Sequence, residues 1–176
     1  MMQKTITRLV VVFTGVIIMA GCPLSKEFGI DETPSIKVNT NWYGTYNDDE
    51  GKTNYESKPA TVTIGPGSDF EYKIKEVHFT EDSLGNVEKI ENVYMAYLSK
   101  TGGNNFMNVR KIDEAYFYFY RVDVAGKDIL ATEVVSSCLT GGWSDKIMGS
   151  KELKAFLGKY AKSELLYCDK LTLRRN

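Results

Sequence analysis

The stretch Phe70-Glu71-Tyr72-Lys73-Ile74-Lys75 alternates aromatic or aliphatic side chains with charged ones. Successive side chains of a β-strand point to opposite faces, so this alternation predicts a strand with one buried face and one face in water. The phase of the alternation shifts at Val77 and Phe79, which predicts a β-bulge near Lys75 and Glu76. A strand of this kind is typical of antiparallel sheets.

Similar stretches lie on both sides of it, rich in aromatic and β-branched residues and separated by turn sequences such as Gly65-Pro66-Gly67 and Ala125-Gly126-Lys127. This pattern predicts a meander of antiparallel strands. The predicted strands are Ile36–Tyr46, Ala60–Ile64, Phe70–Phe79, Ile90–Ser99, Asn105–Ile112, Tyr116–Val124 and Ile129–Ser136.

One helix is predicted near the C-terminus. Ser150 is a suitable N-cap, and apolar residues from Leu153 to Ala161 recur at helical spacing. Alternation over Leu165–Leu173 predicts a last strand. The fold class is therefore mainly β, an antiparallel meander that closes into a barrel or forms a strongly bent sheet, with one C-terminal helix before the last strand.

The N-terminus has the layout of an export signal, with Lys4 and Arg8 before an apolar run from Leu9 to Ala20. That run is shorter than the roughly 20 residues a spanning helix needs. Met19-Ala20-Gly21-Cys22 resembles the lipobox of bacterial lipoproteins. The resemblance implies that residues 1–21 are a signal peptide and that Cys22 carries acyl chains that bind a membrane. Pro23, by analogy with lipoprotein sorting, favours the outer over the inner membrane.

Residues 22–35 are polar, contain two prolines and lack periodicity, so they are predicted to be a flexible tether for one β-rich domain at 36–176. Removal of residues 1–21 deletes two basic and no acidic residues, which leaves 20 basic against 23 acidic side chains and a net charge of −3. Nucleic-acid binding requires a basic face, so this balance argues against it.

Trp42-Tyr43-Gly44-Thr45-Tyr46 resembles the Leu-x-Gly-x-Trp opening of lipocalin-like domains, with Trp42 in the place of Leu and Tyr46 in the place of Trp. The order of strands, helix and last strand is also similar. The resemblance implies a cup-shaped barrel closed at one end by an aromatic ring. It also implies a basic residue over that ring on the strand before the helix, and the nearest arginine is Arg121.

Few residues suit catalysis or metal binding. His78 is the single histidine and lies in a predicted strand, outside any nucleophile motif. Metal-ligand spacing is absent, so we predict a protein that is not an enzyme and uses no metal or cofactor. Cys138 and Cys168 form either a disulfide or two buried thiols, and the sequence leaves both open.

The aromatic content exceeds what one small β-core needs, and Tyr116 to Tyr120 is aromatic on both faces of a predicted strand. Two hypotheses follow for a monomeric, membrane-anchored protein. Either tyrosines line a cavity on the order of several hundred Å³ for a small hydrophobic ligand, or the interior is filled and an exposed apolar sheet face binds an envelope protein. The candidate ligand-binding residues are Trp42, Tyr46, Tyr72, Tyr94, Tyr116, Tyr118 and Tyr120.

Overall fold

A computed structural model describes residues 24–48, 60–81, 84–135 and 146–176, without the side chains of Cys168 and Asp169. Short 3-10 turns at Thr40–Trp42 and Glu164–Leu166 accompany nine strands and one α-helix in these ranges. The strands are β1 (Ser25–Lys26), β2 (Gly44–Asp48), β3 (Thr61–Pro66), β4 (Tyr72–Glu81), β5 (Val87–Thr101), β6 (Asn104–Lys111), β7 (Phe117–Ala125), β8 (Asp128–Val134) and β9 (Tyr167–Arg175), and the helix α1 spans Ser150–Tyr160.

Strands β2 to β9 form a closed eight-stranded antiparallel barrel. Each strand pairs with the next along the chain, and β9 pairs back to β2 through Tyr46 and Arg175. The connection from β8 to β9 passes through α1, after which β9 still pairs antiparallel with β8. The predicted fold class, a mainly β barrel with a C-terminal helix and a last strand, is confirmed.

The prediction of a first strand at Ile36–Tyr46 is wrong for most of these residues. Residues 40–42 form a 3-10 turn, and the side chain of Asn39 caps it by accepting a hydrogen bond of 3.1 Å from the backbone amide of Asn41. Asparagine side chains compete with backbone pairing in this way, so the extended conformation is interrupted. Strand β2 begins only at Gly44.

The β-bulge predicted near Lys75 and Glu76 is also wrong. Strand β4 stays in register with β3 from Pro66 opposite Tyr72 to Thr61 opposite Val77, and with β5 up to Glu81. Unbroken register places Glu76 on the same face as Tyr72 and Ile74. A carboxylate therefore points into the barrel, at a position where alternation alone would expect an apolar residue.

The barrel interior and its outer wall form two separate hydrophobic clusters. Strand β7 contributes to both, because Tyr120 and Val122 face the interior while Phe117 and Phe119 face outward. This explains a strand that is aromatic on both faces, since each face is covered. The interior core contains Trp42, Tyr46, Val62, Ile64, Tyr72, Ala96, Leu98, Met107, Val122, Ile129 and Leu173.

Helix α1 covers the outer wall. Leu153 and Leu157 are fully buried and belong to one cluster with Phe106 and Phe119 of the barrel. The hydroxyl of Thr101 donates a hydrogen bond of 3.0 Å to the carbonyl of Lys154. Apolar packing and this polar contact together hold the helix against the β5–β6 hairpin.

The segment from Leu24 to Asp31 packs on the same outer wall, contrary to the flexible tether predicted for residues 22–35. Leu24 and Ile30 are only 3% and 1% exposed. The amide of Leu24 donates to the carbonyl of Val134 at 2.9 Å, and that of Ile30 donates to Oδ1 of buried Asn108 at 2.7 Å. Burial of two aliphatic side chains explains why this polar stretch is ordered on the barrel. We call residues 24–31 the N-terminal strap.

Candidate functional site

A cavity of about 180 Å³ lies inside the barrel. Its walls come from seven of the eight barrel strands, all except β2, and most of its surface is aliphatic. A cavity of about 150 Å³ is large enough to hold benzene, so this one has room for a single substituted ring. The lining residues are Val62, Ile64, Ile74, Glu76, Tyr94, Met107, Val109, Tyr118, Tyr120, Val122, Ile129, Ala131, Leu171 and Leu173.

One end of the barrel is closed by aromatic rings. Trp42 stacks on Tyr72 with ring centroids 5.6 Å apart, and the hydroxyl of Tyr46 donates to the carbonyl of Trp42 at 2.8 Å. The hydroxyl of Tyr72 accepts a hydrogen bond of 2.7 Å from the amide of Asn39. Burial raises the pKa of both tyrosines, so their hydroxyls stay protonated at neutral pH.

Arg175 braces this closed end from the last strand. Its guanidinium donates to the carbonyl of Asn41 at 3.0 Å and to that of Tyr43 at 2.7 Å. The resemblance to lipocalin-like domains placed a basic residue on the strand before the helix and left Arg121 as the nearest candidate. Arg121 instead lies on the outer wall, 4.4 Å from the ring centroid of Tyr167.

The opposite end of the cavity is polar. Among the lining residues that the structure describes, Glu76 alone carries a charge. Its Oε2 accepts hydrogen bonds from the hydroxyl of Tyr94 at 2.9 Å and from Nδ2 of Asn92 at 3.1 Å. These two donors fix the carboxylate against the cavity wall.

Three tyrosines line the cavity, and the pKa of each hydroxyl is raised. For Tyr94 the cause is first burial and then the charge of Glu76. For Tyr120 it is burial and then the charges of Glu133 and Glu76, and for Tyr118 it is burial and then Glu114. The hydroxyls are therefore neutral hydrogen-bonding groups throughout the physiological pH range.

The structure separates the seven candidate ligand-binding residues into three groups. Tyr94, Tyr118 and Tyr120 line the cavity. Trp42, Tyr46 and Tyr72 lie outside the lining, at the closed end of the barrel, where they are nearly fully buried. Tyr116 is 46% exposed and lies before the start of β7, outside the lining.

Sequence reasoning missed Glu76 as a residue of the cavity. The sequence did contain an indication of this position: Tyr72, Ile74 and Glu76 are spaced two residues apart, so an unbroken strand places all three on one face. The structure shows that the strand is unbroken there. The shift of phase at Val77 and Phe79 led us to predict a β-bulge at this point instead. Tyr94 and Asn92, which donate hydrogen bonds to Glu76, lie on another strand.

A second groove of about 500 Å³ lies on the outer wall between β7, β8 and the segment after α1. Arg121, Lys162 and Lys170 line it together with Asp123 and Glu164. Charges of both signs alternate there, and Nε of Arg121 lies 3.3 Å from Oδ2 of Asp123. With three basic and two acidic side chains, the charges of this groove largely balance and do not favour a strongly charged ligand.

Several sequence predictions lie outside the described residues. Cys22 and Cys138 belong to ranges whose structure is not described, and the side chain of Cys168 is likewise outside it. Acylation of Cys22 and a Cys138–Cys168 disulfide stay predictions. The described side chains contain no group of three His, Cys, Asp or Glu residues placed to hold a metal ion. None of the described helices is long and apolar enough to cross a bilayer.

Comparison of the chain with models of protein families, with curated proteins and with solved structures finds no match. Its function is therefore inferred from the residues of the cavity.

Proposed function

We propose that the chain is a lipid-anchored envelope protein, tethered through acylated Cys22 to the outer membrane, whose barrel binds a small apolar molecule without transforming it. The observation that carries this proposal is the cavity of about 180 Å³ lined by aliphatic side chains and three tyrosine hydroxyls. Ligand sites are typically apolar pockets with a few polar groups that orient the bound molecule.

The size of the cavity limits the ligand. It is smaller than the several hundred Å³ typical of sites for drug-sized molecules. A molecule of one ring, or an aliphatic chain of comparable volume, fits the space, whereas an intact membrane lipid is far too large. The proposed ligand is therefore a small hydrophobic metabolite or signal and not a bilayer lipid.

The alternative function, an interaction module with a filled core and an apolar sheet face, receives less support. The exposed large apolar side chains include Leu84, Val87, Ile112, Met148 and Leu165, which belong to turns and to the ends of strands. In the described pairings, none of these residues is the register partner of another. A docking face would require neighbouring positions on one side of the sheet.

The test is binding of 4-fluorotoluene to the full chain in nanodiscs, followed by fluorine NMR. Ala131→Leu places extra methyl groups inside the cavity. Ala125→Leu makes the same change at an exposed position at the end of β7 and serves as the matched control. Partition of the probe into lipid is the same for all three proteins.

We expect a bound resonance with the wild type and the Ala125→Leu protein, and its loss with Ala131→Leu. Absence of a bound resonance in the wild type would overturn the proposal and favour the interaction module. Equal binding by Ala131→Leu would overturn it as well, because the probe would then lie outside the cavity.

A further inference from the structure

We infer that the cavity selects a small amine, whose ammonium group is held by Glu76 while its hydrocarbon part occupies the aliphatic cavity. This inference rests on the proposed function and adds the chemical class of the ligand. It follows from the hydrogen bonds of Glu76, from the charges around the polar end and from the shape of the cavity.

Glu76 has unused capacity to accept hydrogen bonds. A carboxylate offers about four lone-pair sites on its two oxygens. In the described part of the chain, both hydrogen bonds to Glu76, from Tyr94 and Asn92, fall on Oε2. The second oxygen, Oε1, therefore stays available to a donor that enters the cavity.

The charges at the polar end favour a cation. Glu76 and Glu133 face the barrel interior, since Glu133 lies opposite Tyr120 in the β7–β8 pairing. Glu114 lies 3.5 Å from the hydroxyl of Tyr118. Among the described residues, Lys111 supplies an opposing charge near this end, since it pairs in register with Tyr94. Around the polar end, the described carboxylates of Glu76, Glu133 and Glu114 outnumber the ammonium group of Lys111, which favours a negative potential there.

The same charges disfavour anionic ligands. A fatty acid or a phosphate ester would place its negative group next to Glu76, where like charges repel strongly in a partly desolvated site. An ammonium group gains a charge-assisted hydrogen bond instead. The rings of Tyr94 and Tyr120, both in the cavity lining, add favourable cation–π contact.

The shape of the cavity separates the charged and the apolar parts of the ligand. The closed end carries the ring of Trp42 together with Tyr46 and Tyr72, whose hydroxyls form hydrogen bonds to protein groups. Only hydrocarbon can be placed toward that end without losing hydrogen bonds to water. A primary amine on a single ring or a short chain therefore enters with its hydrocarbon part first.

The experiment compares three probes that share a ring and differ in the head group: 4-fluorobenzylamine, 4-fluorotoluene and 4-fluorobenzoate. Their affinities for the full chain in nanodiscs are measured at pH 7 by fluorine NMR. We expect 4-fluorobenzylamine to bind about tenfold more tightly than 4-fluorotoluene and 4-fluorobenzoate not to bind measurably.

Glu76→Gln is the decisive variant because glutamine keeps the shape and can still accept hydrogen bonds from Tyr94 and Asn92. We expect it to remove most of the tenfold preference for the amine, and an unchanged urea midpoint shows that the variant is folded. Lys111→Met removes the competing ammonium, and we expect it to strengthen binding of the amine.

The outcomes separate the two proposals. If 4-fluorotoluene binds and the amine shows no preference, or if Glu76→Gln leaves the preference intact, the amine inference is wrong and the cavity is a general apolar site. If none of the probes binds to the wild type, the proposed function itself fails, and the amine inference fails with it.

Discussion

The hydroxyl of Tyr94 lies 2.9 Å from Oε2 of Glu76, inside the barrel and next to the cavity. In this pair, the neutral hydroxyl of Tyr94 donates a hydrogen bond to the carboxylate of Glu76. Burial and the charge of Glu76 raise the pKa of Tyr94, because ionisation would place two negative charges side by side.

This raised pKa predicts a loss of stability at alkaline pH. An unfolded tyrosine ionises near pH 10, whereas folded Tyr94 keeps its proton at higher pH. The stabilisation is complete below about pH 10 and falls as pH rises above it, because the folded state then binds more protons than the unfolded state. Tyr94→Phe should reduce the slope of unfolding free energy against pH by at most about 1.4 kcal/mol per pH unit.

Urea denaturation at intervals between pH 8 and pH 11.5 measures this slope. Tyr116→Phe, which removes an exposed hydroxyl outside the cavity, is the control for losing a tyrosine. A slope that Tyr94→Phe leaves equal to that of the wild type would contradict the prediction.

The β5–β6 turn contains two neighbouring glycines at which substitution by alanine should destabilise the protein to different extents. Gly102 and Gly103 both have positive φ, of 58° and 82°, so alanine is strained at either position. A Cβ at Gly102 would lie 2.7 Å from the carbonyl oxygen of Gly158 in α1, whereas a Cβ at Gly103 meets nothing within 4 Å.

We therefore expect Gly103→Ala to lower the unfolding free energy by about 1 kcal/mol and Gly102→Ala to lower it by about 1 to 3 kcal/mol more. Thermal and urea unfolding of the two variants measures the difference, with Gly103→Ala as the control for backbone strain. Equal losses would show that α1 yields to the added methyl group.

We predict that the N-terminal strap, which follows the proposed anchor residue Cys22, contributes to folding stability. Ile30 is 1% exposed and packs in the cluster beneath α1. Ile30→Ala should lower the unfolding free energy by about 2 to 5 kcal/mol, since it removes buried methyl groups and leaves a cavity. The control is Glu27→Ala in the same strap, where the side chain is exposed. If both variants unfold at the wild-type urea concentration, the strap does not pack as described.

Removal of the Arg175 hydrogen bonds at the closed end of the barrel should cause a smaller loss of unfolding free energy. Arg175→Gln removes the charged donor to the carbonyls of Asn41 and Tyr43, and we expect a loss of about 1 kcal/mol at this solvent-exposed site. Lys127→Gln removes an exposed charge from the β7–β8 turn and controls for the change in net charge. Urea denaturation would contradict the prediction if the two variants were equally stable.

Much of the barrel could be predicted from the sequence because apolar and polar side chains alternate within each single strand. The stretch Phe70–Lys75 encodes its two faces without reference to its neighbours, and the helix carries its own apolar spacing at Leu153 and Leu157. Local patterns of this kind depend on the geometry of one element and are visible in one segment.

The features that were missed depend on contacts between distant residues. Glu76 is stabilised in the interior by Asn92 and Tyr94 of the next strand, and the strap is ordered through Asn108, which lies 78 positions after Ile30. Arg175 reaches back 134 positions to Asn41. The candidate tyrosines could be named from composition, but their division between lining and closed end required the register of the strands.

The packed strap also determines how far the barrel can move from a membrane. Leu24 lies two residues after Cys22, and two extended residues span about 7 Å. With lipid on Cys22, as proposed, the wall that carries the strap stays at the bilayer surface and cannot search the space beyond it. A molecule that reaches the cavity must therefore come to the membrane, so the concentration that governs occupancy is the one at the lipid interface, where amphiphilic amines accumulate.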